Sequence, residues 1–118
     1  MIFHNVIPQL YNVHYYYKIT VQGALVADGT PTERIVFTSI KDDSNGGDTN
    51  NDGNSSSPDK GNWREIQFQS STLDTLNSLK YCSIRYGGNH SYLYNYNWGA
   101  IRIFNANLKM DNCIVEQS

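Results

Sequence analysis

The chain has 118 residues, 39% of them hydrophobic, which is enough for the core of one small domain and argues against wholesale disorder. Nine Lys and Arg against eleven Asp and Glu leave a net charge of −2 with no basic stripe, so a nucleic-acid partner has no electrostatic footprint here. No apolar run approaches the roughly 18 residues that a membrane span requires.

The opening "MIFHNVIPQLYNV" has neither a basic n-region nor an apolar h-region, so it is not a signal peptide. Nine Tyr, many Asn and Ser, and little Lys, Glu or Ala favour strands and turns over helix. From Tyr11 the apolar positions fall at every second residue: Tyr11, Val13, Tyr15, Tyr17, Ile19 and Val21. No stretch holds a helical period, whereas alternation recurs, and the fold class is read as all-β. Strands are expected over 19–27, 35–39, 65–69, 79–85, 100–104 and 108–115. The ending "NCIVEQS" breaks off within this pattern, so a segment of a larger domain is expected.

Strands here alternate with turns, not with the helices that normally join parallel strands. A solenoid removes that need, because each strand pairs with its equivalent one turn later. Self-similarity is the test. Setting "LKYCSIRYGG" against "LKMDNCIVEQS" aligns Cys82 with Cys113, Ile84 with Val115 and Arg85 with Glu116. Inward Leu25, Ile35, Phe37, Ile66, Phe68, Ile84, Ile101 and Val115 would then stack into one narrow core, each coil covered only by its neighbours.

The elements Gly23, Leu25, Ala27, Gly29 and Thr30, then Ile35, Phe37, Thr38 and Ser39, followed by the cysteine repeats, carry a family likeness. From Ile19 to Ser118 the chain resembles right-handed parallel β-helix repeat proteins of the pectate-lyase-like superfamily. The resemblance implies a right-handed parallel β-helix, about four coils at the usual repeat length, with one long inserted loop at 42–62, in a bacterial secreted or surface protein. Its pectate-lyase-type members use an Arg base beside calcium, and its polygalacturonase-type members use several close Asp residues. Neither arrangement occurs here, and no catalytic residue is assigned. Glu65 and Glu116 read as solvated charges. His4, His14 and His90 each stand alone, without the spacing of metal ligands.

The insertion contains "DTNNDGNSSSPD", whose oxygen-bearing side chains follow the order of a calcium loop: places 1, 3, 5, 7 and 12, with glycine at 6. The expected ligands are Asp48, Asn50, Asp52, the backbone carbonyl of Asn54, and Asp59, with Gly53 at the turn and Ser56 at the ninth place. The competing reading is a solvated Asx-turn loop that needs no ion. Downstream, "SYLYNYNW" spaces Tyr92, Tyr94, Tyr96 and Trp98 two apart among Asn residues, an arrangement suited to stacking on sugar rings or to covering the outside of the coil. Trp63 is read as the anchor of the loop's return. Cys82 and Cys113 are read as a buried pair of free thiols, since in-register stacking leaves their Cβ vectors parallel.

The expected function is non-catalytic: a β-helix segment of an extracellular or cell-surface protein that binds Ca2+ and presents sheet faces and loops to polysaccharide or cell-surface glycan. Two alternatives stay open. One is a polysaccharide lyase or glycoside hydrolase with catalytic coils outside this chain, and the other is a structural stalk or adhesin spacer.

Overall fold

A computed structural model describes residues 2–4 (backbone only), 17–72, 75–89 and 99–118. Among the described residues there are ten short strands and no helix. The strands are β1 (Ile2–His4), β2 (Lys18–Val21), β3 (Val26–Asp28), β4 (Ile35–Thr38), β5 (Glu65–Phe68), β6 (Ser78–Lys80), β7 (Cys82–Arg85), β8 (Ile101–Ile103), β9 (Lys109–Asp111) and β10 (Ile114–Glu116).

Every pairing is parallel, and each sheet collects every third strand: β1-β4-β7-β10, β2-β5-β8 and β3-β6-β9. The arrangement is parallel β-solenoid-like. Equivalent residues stand in columns, such as Ile19–Ile66–Ile101, Ala27–Leu79–Met110 and Phe37–Ile84–Val115. The sequence alignment of Ile84 with Val115 and of Arg85 with Glu116 is the observed register.

Three expected strands are each two strands separated by a corner. The span 19–27 divides at residues 22–25, 79–85 at Tyr81, and 108–115 at Asn112 and Cys113. Tyr81 and Asn112 have φ of 48° and 52°, the left-handed conformation that turns the chain into the next sheet. Alternation alone cannot register such a corner, because apolar residues continue on both sides of it. Strand β1 was not expected, since three residues are too few to display a period.

The core runs along the columns. Ile66, Phe68, Leu79, Cys82 and Ile84 have no exposure, and Val21, Ala27, Phe37, Trp63 and Ala100 join them. Leu25, Ile35 and Ile101 are half-buried against this cluster. Val115, expected inside, is exposed, and β10 is an edge strand of its sheet among the described residues. Polar ladders tie the corners. Buried Asn77 accepts from the Leu25 amide at 3.1 Å and donates to the Asn107 carbonyl at 3.0 Å, so one side chain stitches successive turns of the winding together.

Candidate metal centre

The insertion leaves the solenoid after β4 and returns just before β5. Its two ends are held together, because the Ser39 hydroxyl donates to the Asn62 side-chain oxygen at 2.9 Å and the Asp59 amide donates to the same oxygen at 2.9 Å. Trp63 then enters the core, 5% exposed, and its ring N–H donates to the Arg85 carbonyl at 2.8 Å. On the departing side, Asp42 is fully enclosed. It accepts from Thr38 Oγ1 at 2.5 Å, from Asn45 Nδ2 at 2.9 Å and from the Ser44 hydroxyl, with the Arg85 guanidinium 3.5 Å away. Burial opposes the Asp42 charge, but these hydrogen bonds and Arg85 outweigh it and hold the carboxyl below its ordinary range.

Within the loop the turn chemistry is local. Both Asp48 oxygens accept backbone N–H groups, from Asp52 at 3.0 Å and Gly53 at 2.8 Å. Gly53 has φ of 65°, as the sharp turn at the sixth place requires. Asp52 Oδ2 accepts from Asn50 Nδ2 at 3.0 Å and from the Ser56 hydroxyl.

This folding leaves three side-chain oxygens without a hydrogen bond. Asp43 Oδ1, Asn50 Oδ1 and Asp52 Oδ1 are each shut off from solvent and accept no hydrogen bond. One oxygen from each of Asp43, Asp48 and Asp52 lies within 4.8 Å of the others. Burying acceptor oxygens without a donor costs free energy, and three carboxylates at such separations repel one another. A hard cation answers both costs, since calcium takes oxygen ligands from carboxylate, amide and carbonyl groups. The donor set fits calcium, and Asp43, Asp48, Asn50 and Asp52 are the residues that would hold it.

The strain is visible at Asp43, whose pKa is raised. Removal from water is the first cause, and the charges of Asp48, Asp52 and Asp42 add to it. An open cleft of about 310 Å³ borders the cluster, with Lys41, Asp43, Ser44, Asn54, Ser57 and Tyr86 in its walls.

Of the ligands expected from sequence, Asp48 and Asp52 come together, and Asn50 Oδ1 is buried without a hydrogen bond. Asn54 lines the cleft that borders the cluster, while Asp59 Oδ1 accepts the neighbouring Lys60 amide at 2.8 Å and stands outside the carboxylate trio. Asp43 was missed because it precedes the twelve-residue pattern and arrives by tertiary folding. The acidic pair Asp42–Asp43 just upstream was the available signal.

The aromatic set Tyr92, Tyr94, Tyr96 and Trp98 lies outside the described residues, as do His14 and His90. Glu65 corrects the reading as a solvated charge: it is fully buried, with Arg102 Nη1 3.3 Å from both carboxylate oxygens and Gln67 Nε2 at 3.2 Å. Glu116, by contrast, is exposed. No protein-family model matches the chain, and no curated protein or solved structure does so either.

Proposed function

We propose that this chain is a calcium-binding segment of a right-handed parallel β-helix, of about four coils and pectate-lyase-like in kind, in a secreted or cell-surface protein. The calcium holds the 42–62 insertion in one conformation, and the segment presents that loop and its sheet faces to polysaccharide or cell-surface glycan without itself catalysing a reaction. The observation that carries the reading is the group of Asp43, Asp48 and Asp52 oxygens within 4.8 Å of one another, beside buried acceptors that no donor satisfies. The neighbouring cleft supports the glycan part, because Ser, Asn and Lys donors beside the Tyr86 ring suit a hydroxyl-rich ligand.

Affinity for calcium is expected in the weak extracellular range of about 10⁻⁴ to 10⁻³ M, given few dedicated ligands on a loop without flanking helices. Calcium titration followed by calorimetry and thermal melting tests it. Binding only to the folded state raises the melting temperature, and Asp52→Ala abolishes the rise. An unaltered protein whose melting is indifferent to millimolar calcium refutes the metal reading. A glycan array with the calcium-loaded protein tests the presentation role separately.

A further inference from the structure

We propose that Asn45 and Gly46 form a self-modification site, where Asn45 converts to aspartate and isoaspartate through a cyclic imide and so loosens the anchor at the start of the insertion.

The chemistry needs a backbone nitrogen free to attack the side chain before it. The Gly46 nitrogen gives its proton to solvent base and bonds to Asn45 Cγ, closing the ring. The Cγ–Nδ2 bond breaks, and ammonia leaves with a proton taken from solvent. Water then opens the ring at one of its two carbonyls. Opening at Cγ gives aspartate. Opening at the main-chain carbonyl gives isoaspartate, whose backbone runs through the side chain. Water is the co-reactant, and nothing is oxidised or reduced.

Sequence and structure single out this Asn. Asn45 alone among the Asn residues of the chain is followed by glycine, whose missing Cβ lets the nitrogen approach. Gly46 is exposed and, with Gly47, left-handed, at φ of 88° and 77°. Every other Asn of the insertion precedes an amide that is already engaged. After Asn50 and Asn51, the next amides donate to the Asp48 carbonyl at 3.4 Å and to Asp48 Oδ1 at 3.0 Å. After Asn54 and Asn62, they donate to the carbonyls of Asp52 at 3.2 Å and Tyr86 at 3.4 Å. The Gly46 amide has no acceptor among the described residues.

The effect of conversion follows from what Asn45 holds. Its Nδ2 donates to Asp42 Oδ2 at 2.9 Å and to Ser44 Oγ at 3.3 Å. These bonds engage the leaving nitrogen and not the attacking one, so they brake ring closure without blocking it. In either product a carboxylate replaces that donor. Enclosed Asp42 then loses a hydrogen bond and faces a like charge, both of which disfavour a buried carboxylate. Asp42 ties the insertion to Thr38 of β4 and Arg85 of β7, so the departing end of the insertion is loosened with it. Isoaspartate also lengthens the backbone by one carbon.

Incubation of the 118-residue chain at mildly alkaline pH, followed by peptide mass spectrometry, tests the proposal. Position 45 should exchange amide for acid before any other Asn of the insertion, and an isoaspartate methyltransferase should label the product. Gly46→Ala should slow the exchange by about tenfold or more, because its methyl group hinders approach and disfavours the left-handed backbone. Circular dichroism checks the fold. Should Gly46→Ala not fold, Asn45→Gln takes its place and should abolish the exchange, since its longer side chain must close a larger ring. The converted chain, separated from the parent by anion exchange, should melt lower and be cut sooner by protease within 42–62. Asn45→Asp should melt below Asn45→Ala, which lacks the second carboxylate. An Asn45 that outlasts the other Asn of the insertion overturns the modification. A converted chain that melts and resists protease as the parent does overturns its effect on the anchor.

Discussion

At Asp43, burial and the charges of Asp48, Asp52 and Asp42 make the carboxyl hold its proton more tightly than an ordinary aspartate. The sign of the pH effect follows. Without calcium, the folded state takes up this proton more readily than the unfolded chain, so Asp43 favours folding as pH falls through its raised pKa. Asp42 is held low and acts oppositely, stabilising the fold above the ordinary carboxylate range and losing that contribution in stronger acid. Calcium bound as proposed would have to displace the Asp43 proton, so its stabilising effect should fade on acidification sooner than ordinary aspartates would dictate. Melting curves with and without calcium check this across pH. Asp43→Asn should leave the calcium-free protein as stable or more stable, and remove most of the calcium-induced rise. Asp59→Asn should leave that rise nearly intact. A loss of response on Asp59→Asn alone would return the site to the spacing expected from the sequence. The spacing could supply Asp48, Asn50, Asp52 and Gly53, because they belong to one local turn. It could not supply Asp43, whose place depends on how the insertion folds back on its first residues. The two thiols make a second contrast. Burial and the neighbouring Cys113 push the Cys82 pKa up to about 11, and its sulfur donates to the Ala27 carbonyl at 3.1 Å. At mildly alkaline pH an alkylating reagent should label half-buried Cys113 and spare Cys82, as read by peptide mass spectrometry. The neutral Cys82 thiol contributes stability fully below its unfolded pKa near 9.0 and loses it as pH rises through about 11, a component that Cys82→Ala should lack.

Strands of three or four residues hold position only if their corners are fixed. Gly29 follows β3 where a Cβ would lie 2.9 Å from the backbone oxygens of both Glu33 and Tyr81. Backbone cannot yield as a side chain does, so Gly29→Ala should cost about 2 kcal/mol or more, within the range for overpacking, as measured by chemical denaturation. Gly87 plays the same part beside Trp63, where a Cβ would meet the indole at 3.1 Å. Asn77 holds a corner by hydrogen bonds. Asn77→Ala removes the acceptor of the Leu25 amide and should cost about 2 kcal/mol, the scale for a backbone donor left without its partner away from water. These corners explain what the residue pattern concealed. The alternation through Lys18–Val21 and Val26–Asp28 reads as one strand, yet the chain bends between them to enter another sheet. Nothing in the spelling of "QGAL" announces the turn, because Asn77, which fixes it, is 52 residues away.

The whole molecule behaves as a stack in one dimension, where each layer is stabilised by the layers that touch it. The columns were legible from sequence because spacing writes them directly, as with Ile84 and Val115. The exposure of Val115 was less so, since a residue's burial depends on the layers around it as well as on its own spacing. In the 118-residue chain, loss of order should therefore start at β8, β9 and β10, which are more exposed than β5 and β7. Backbone amides of β8, β9 and β10 should exchange with deuterium before those of β5 and β7 in dilute protein. The pinning of Ser39 to Asn62 has a wider consequence. The insertion leaves and rejoins the stack at adjacent points, so residues added or removed between them alter no column. The entropy of closing a longer loop grows only slowly with length. The scaffold and its insertion can thus change independently. Strand positions are constrained by the neighbours they must match above and below, whereas the 42–62 segment is a cassette, open to replacement by another binding sequence without re-registering a single strand.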